Sequence, residues 1–143
     1  MTIATGIVGA AGFAGIELVR LVLAHPLFDL RVVTSNELAG ISLASEYPSF
    51  TGATDLVFTT HDEAALDTCS LVFLAVPHTA ALAMAPKLIA KGIAVVDLSA
   101  DFRLKNPATY EQWYATPHTA VDLLAEAAFG LPELSRSELE RVC

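Results

Sequence analysis

A chain of 143 residues, 54% of them hydrophobic, is long enough for one buried core and too apolar for intrinsic disorder. Its net charge of −8 argues against a nucleic-acid partner, but not against one dinucleotide held by backbone N–H groups. Polar residues such as Glu17 and Arg20 interrupt every apolar run short of the roughly 18 residues of a membrane span, and Cys69 and Cys143 are too few for a disulfide framework or a metal cluster. The N-terminus enters a strand at once, without the basic region and cleavage site of a leader, so a cytoplasmic location is expected.

Ile3 to Val8 reads as a buried strand. Gly9, Gly12 and Gly15 follow at three-residue steps, with Ala10, Ala11, Phe13 and Ala14 between them. Ile16 to Ala24 then reads as a helix, stopped by Pro26. Strand, glycine turn and helix is the setting of a dinucleotide fingerprint, although Gly-x-x-Gly-x-x-Gly is not its commonest spacing. Side chains at Gly9 or Gly12 would hold the backbone away from a pyrophosphate, which the N–H groups at the helix start can bind. Gly15 would let the helix lie close on the strand. A tight turn with no ligand is the competing reading.

Leu30 to Thr34 is the second expected strand. Its end is where this kind of fold meets the adenosine ribose, and it carries Ser35 and Asn36 rather than a carboxylate. Both can donate to a 2′-phosphate, which favours NADP, or they simply form a turn. Residues 36 to 54 form a long loop, with a short helix possible around Ser42 to Glu46. Asp55 to Thr60 reads as a short edge strand, and Glu63 to Leu66 as at most a short helix.

Leu71 to Val76 is an unbroken apolar run, fit for a central parallel strand. It ends at Pro77 and His78, where ligands bind in open α/β sheets. His78 is either close to the nicotinamide end of a cofactor or the entry to the next helix, Thr79 to Lys91, whose middle Pro86 should disturb. Ile93 to Leu98 is the next strand, and Ser99 at its end joins Pro77 and His78 as a candidate cofactor contact. Arg103 either forks onto a phosphate or carboxylate, or pairs internally with Asp97 or Asp101. Tyr110, Trp113 and Tyr114 would share a face of a short helix, and such clusters are usually packing. His118, a turn over Val121 to Ala125 and a helix over Ser135 to Val142 complete the chain. Because that last helix has nothing after it to pack against, a fragment of a longer protein is expected. The expected fold is an α/β, Rossmann-type domain over residues 1–143 with a mostly parallel sheet and helices on both faces. Its strands begin near Ile3, Leu30, Leu56, Leu71 and Ile93, in the spatial order third, second, first, fourth, fifth.

Several strings together resemble the cofactor-binding, N-terminal part of the N-acetyl-gamma-glutamyl-phosphate reductase family of arginine biosynthesis. They are Val8 to Gly15, His25-Pro26, Phe73 to His78, Asp97 to Leu104, and Phe129-Gly130-Leu131-Pro132-Glu133-Leu134. The strings from Asp97 and from Gly130 are specific, whereas the glycine motif is shared with aspartate-semialdehyde dehydrogenases. The resemblance implies NADPH-dependent reduction of an acyl phosphate to an aldehyde, through a cysteine thiolate and a histidine acid/base. It also implies a small-molecule substrate bound through a second domain, and a homo-oligomer for the intact enzyme. The family's Asn-Pro-Gly-Cys-Tyr-Pro string does not occur here, so Cys143 should not inherit the nucleophile's role, and no catalytic residue is assigned. By itself the chain should be catalytically inactive. Ala11 stands where family members often carry Ser, and Asn36 where many carry Arg, which weakens the implied NADP preference. The rival readings are the cofactor domain of an aspartate-semialdehyde dehydrogenase and a stand-alone nucleotide sensor.

Overall fold

The computed structural model describes residues 1–61 and 66–142. The chain runs β1 (Ile3–Val8), α1 (Phe13–Ala24), β2 (Phe28–Thr34), α2 (Leu43–Glu46), a 3₁₀ turn (Pro48–Phe50), β3 (Leu71–Leu74), α3 (Ala80–Ala90), β4 (Ala94–Asp97), α4 (Pro107–Tyr114), α5 (Val121–Glu126) and α6 (Pro132–Val142). The four strands form one sheet in the order β2-β1-β3-β4, and every pairing is parallel.

The two faces of the sheet follow from strand alternation. Ile7 packs with Val19 and Val22 of α1, and its neighbour Val8 packs with Ala81, Ala85 and Leu88 of α3. The helices therefore cover opposite faces, which is why β1 and β3 read as apolar runs rather than as alternating patterns. This is the doubly wound α/β architecture expected from the sequence.

Several elements differ from expectation. The strand expected at Leu56 is only two isolated bridges, Thr34 to Thr59 in parallel and Ser42 to Val57 in antiparallel sense. This segment divides its backbone bonds between two neighbours. Thr59 pairs with Val33 and Ser35, while Leu56 and Phe58 pair with residues 40 to 43, so neither ladder grows. It still lies beside β2, on the side where the third strand was expected. The second strand starts at Phe28 and takes in Asp29, whose carboxylate is held by Arg31 at 2.8 Å. The fifth expected strand begins at Ala94 rather than Ile93.

Helix α3 runs through Pro86 without a break. Its buried Ala81, Leu82, Ala85 and Leu88 anchor both sides of the proline, offsetting the lost hydrogen bond. The expected turn after Val121 is helix α5, and α6 begins at Pro132, a residue suited to a first helical position, with a kink at Ser135. The expected short helix at residues 63 to 66 lies outside the described residues apart from Leu66, which is fully buried. Among the described residues, no helix is long and apolar enough to cross a membrane.

Candidate functional site

The sheet order places a topological switch point between β1 and β3, because the chain leaves β1 toward β2 and returns on β1's other side. The loop from Gly9 to Gly15 emerges there. Gly9 has φ of +78°, and a Cβ on it would come within 2.3 Å of the Ala75 carbonyl oxygen. A Cβ on Gly15 would come within 2.1 Å of the Gly9 carbonyl oxygen. The protein's own packing demands both glycines.

Gly12 is different. Its φ of −73° suits any residue, and a Cβ there would meet nothing nearer than the Gly9 carbonyl oxygen at 3.6 Å. Packing gives no reason for a glycine at this position, whereas close approach of a ligand to the backbone does. Gly12 also caps α1 without a side-chain bond, and among the described residues no acceptor takes the N–H groups of Phe13, Ala14 or Gly15. A helix start with free donors and no side chain in front of it fits a pyrophosphate. Ala10 is buried, and its N–H donates to the Thr34 carbonyl at 2.9 Å. The Ala11 carbonyl accepts the Tyr47 hydroxyl at 2.7 Å, so the long loop after β2 braces the glycine loop from outside.

At the end of β2 the candidate ribose contacts separate. Ser35 is 7% exposed and its hydroxyl accepts the Leu38 N–H at 3.3 Å, so it takes part in a turn. Asn36 is exposed, and its side-chain oxygen accepts the His61 N–H at 3.0 Å. Sequence reasoning missed His61. Its Nδ1 lies 2.7 Å from the Thr34 hydroxyl, which in turn accepts the Gly9 N–H at 3.4 Å. Burial holds the His61 imidazole below its ordinary pKa. The available signal was its place just past the strand-like run ending at Thr60, where strand ends carry ligand contacts.

Pro77 and His78 follow β3 on the same rim as the glycine loop, and both are exposed. The entry to α3 is built by Asp101 instead of His78. The fully buried Asp101 carboxylate accepts the N–H of Thr79 at 2.8 Å, the N–H of Leu82 at 3.2 Å and the Tyr110 hydroxyl at 2.8 Å. Its backbone carbonyl lies 2.8 Å from Nε2 of His118. Burial, and secondarily the bond to Asp101, push the Tyr110 hydroxyl far above its ordinary pKa. His78 has no hydrogen-bond partner among the described residues and sits 6.0 Å, ring to ring, from Tyr114.

The internal ion pair considered for Arg103 does not form. Asp97 instead accepts the N–H and hydroxyl of Ser99 at 2.9 and 2.8 Å, Asp101 is satisfied as described, and Arg103 is exposed. Burial raises the Asp97 pKa, and the Ser99 bonds oppose that rise. The Ser99 hydroxyl also accepts the Asp101 N–H at 3.1 Å, so local turn bonds engage it on both sides. Of Tyr110, Trp113 and Tyr114, the two tyrosines stay together, rings 4.8 Å apart with Tyr110 fully buried, while Trp113 is 73% exposed.

The family model of the semialdehyde dehydrogenase NAD-binding domain matches residues 4–142. The chain belongs to that family. It is therefore a nicotinamide-dinucleotide-binding domain. N-acetyl-gamma-glutamyl-phosphate reductase from Herminiimonas arsenicoxydans is 45% identical over 139 residues, 97% of this chain and 40% of the relative. The enzyme of that name from Neisseria meningitidis serogroup C (strain 053442) is 48% identical over 134 residues, 94% of this chain and 39% of the relative. The semialdehyde dehydrogenase domain thus spans about 40% of the length of these curated relatives. Among solved structures, aspartate semialdehyde dehydrogenase from Candida albicans, solved with NADP, superposes with a TM-score of 0.63. It is 21% identical, and the match covers 75% of this chain and 32% of that one, a likeness of fold.

Proposed function

We propose that residues 1–143 form the NADP(H)-binding domain of a longer reductase that converts N-acetyl-gamma-glutamyl phosphate to N-acetylglutamate semialdehyde. The observation that carries the cofactor half of this reading is Gly12, a glycine that the protein's own packing does not require, at a helix start with free donors. The substrate half is supported by relatives of that name at 45% and 48% identity. Gly9 to Gly15 take the pyrophosphate, and Ser35 with Asn36 faces the ribose. Pro77, His78 and Ser99 border the nicotinamide half, and the exposed Arg103 is available to an anionic group of the substrate.

The bound nicotinamide supplies hydride, and this domain's residues bind and orient it. None of them is assigned a role as nucleophile or acid/base, so the 143 residues alone turn over no acyl phosphate. The intact enzyme acts on a small-molecule substrate as a homo-oligomer. It works in the cytoplasm, a reducing compartment that suits the free, buried thiol of Cys69.

Calorimetric titration of the chain with NADP and NAD tests the cofactor half. Both should bind, NADP more tightly by about 1 kcal/mol, the gain when a hydrogen bond's acceptor is charged rather than neutral. Gly12→Val should abolish both without lowering the melting temperature, and unchanged affinity would remove the phosphate cradle. Assay of the protein as its gene encodes it, with NADPH and either N-acetyl-gamma-glutamyl phosphate or aspartyl phosphate, tests the substrate half. Reduction of aspartyl phosphate alone would replace the reading with an aspartate-semialdehyde dehydrogenase.

A further inference from the structure

Three residues distant in sequence form one chain of hydrogen bonds beside the glycine loop. The hydroxyl of Thr34 is fully buried, accepts the Gly9 N–H at 3.4 Å and lies 2.7 Å from Nδ1 of His61. That hydroxyl has one proton to give, and among the described residues Nδ1 is its only acceptor. Nδ1 must then carry the lone pair, and the proton of the neutral ring sits on Nε2. An imidazolium would put a second donor against the hydroxyl and leave the buried O–H without an acceptor. The lowered pKa of His61 agrees with the neutral ring.

The consequence is a defined donor. Nε2–H has no partner among the described residues, and no buried polar side-chain atom there lacks one, so Nε2 is open to a ligand. The same residue orients Asn36. Because the Asn36 oxygen accepts the His61 N–H at 3.0 Å, the amide's NH₂ group is left to donate elsewhere. His61 thus contributes one donor and positions another, both beside the end of β2, the ribose end of a dinucleotide site in this fold. Bonds between Thr59 and both Val33 and Ser35, 2.8 to 3.1 Å long, hold the segment leading to His61 against that strand end.

We infer that His61 is a specificity-determining residue for the adenosine ribose of the cofactor, donating through Nε2 to its 2′-substituent. Thr34 is the positioning residue that sets the ring's tautomer and joins it to Gly9. The inference rests on the dinucleotide-binding reading above. A 2′-phosphate offers these donors a charged acceptor and a 2′-hydroxyl a neutral one, so the bond contributes more to NADP than to NAD.

The test is calorimetry of His61→Ala, His61→Gln and Thr34→Val with NADP and NAD, beside ¹⁵N spectra of the wild-type imidazole. His61→Ala should weaken NADP about tenfold or more and NAD about threefold or less, the loss of one hydrogen bond to a charged acceptor against one to a neutral acceptor. His61→Gln, which keeps a donor, should recover part of the NADP affinity. The free protein should show the Nε2–H tautomer, lost in Thr34→Val, and 2′,5′-ADP should shift the Nε2 resonance where 5′-AMP does not. Equal losses for the two cofactors in His61→Ala, or no loss for either, would overturn the assignment while leaving the glycine loop as the cofactor site. Failure of the wild-type chain to bind either cofactor would overturn both readings.

Discussion

The three glycines of the loop share a spacing but not a physical reason. At Gly15 the missing Cβ is where α1 meets the turn, and an added methyl would sit 2.7 Å from the Ala10 Cα as well as on the Gly9 carbonyl oxygen. These are backbone atoms that cannot swing aside. Gly15→Ala should therefore destabilise the fold by roughly 1–3 kcal/mol, the range for overpacking a well-filled site. Gly12→Ala, meeting only ordinary contact, should leave stability within about 0.5 kcal/mol. Urea unfolding of the two variants measures the difference, and equal stability would mean that α1 can shift off the strand. The motif was legible in the sequence because its spacing and its strand-to-helix setting are local. The close helix packing that Gly15 permits was legible with it; that packing also demands Gly9 but not Gly12 was not, since that depends on Ala75, brought in by folding.

At the scale of elements, α3 depends on a residue that lies one strand beyond it in the chain. Thr79, at its N-cap, has φ of +75°, an unfavourable region for a β-branched residue, and its N–H is held by Asp101. Asp101 thereby ties β4's exit, the start of α3 and Tyr110 of α4 into one buried polar unit. Asp101→Ala should leave two N–H groups and a hydroxyl without a partner and cost about 3–5 kcal/mol. Tyr110→Phe removes one donor and leaves Asp101 its two backbone bonds, so it should cost about 1–2 kcal/mol. Thermal unfolding of both variants checks the ranking. Similar costs would show that the hydroxyl, not the helix cap, holds the unit together. The charged string from Asp97 to Arg103 announced that its charges needed partners. It could not announce that backbone N–H groups would serve as partners for Asp101, leaving Arg103 in water.

For the whole molecule, charge and ligand are set against each other. A domain of net charge −8 repels an anionic dinucleotide at long range, so on the proposed reading its affinity rests on short-range contacts. Raising ionic strength from about 20 to about 200 mM should leave NADP affinity unchanged or slightly stronger as that repulsion is screened. A tenfold fall over the same range would mean that a cationic group, Arg103 foremost, contacts the phosphates.

Taken by itself, the sequence determined the class of fold, the order of the four strands and the position of the glycine turn between β1 and α1. Each of these follows from local information: apolar runs that must be buried, glycines where a turn must close, and crossovers of one hand. It also indicated that residues 55 to 60 lie along β2, though not that sharing bonds with residues 40 to 43 would keep them from becoming a strand. Tertiary structure alone decided that Trp113 faces water while Tyr110 is buried, and that Asp101 caps a helix lying before it in the chain. It alone brought His61 to Thr34, 27 residues away. The physical reason is the range of the interactions. Periodicity and backbone preference act within a few residues, while a buried hydrogen bond between distant segments exists only once packing has brought donor and acceptor together and excluded water from them.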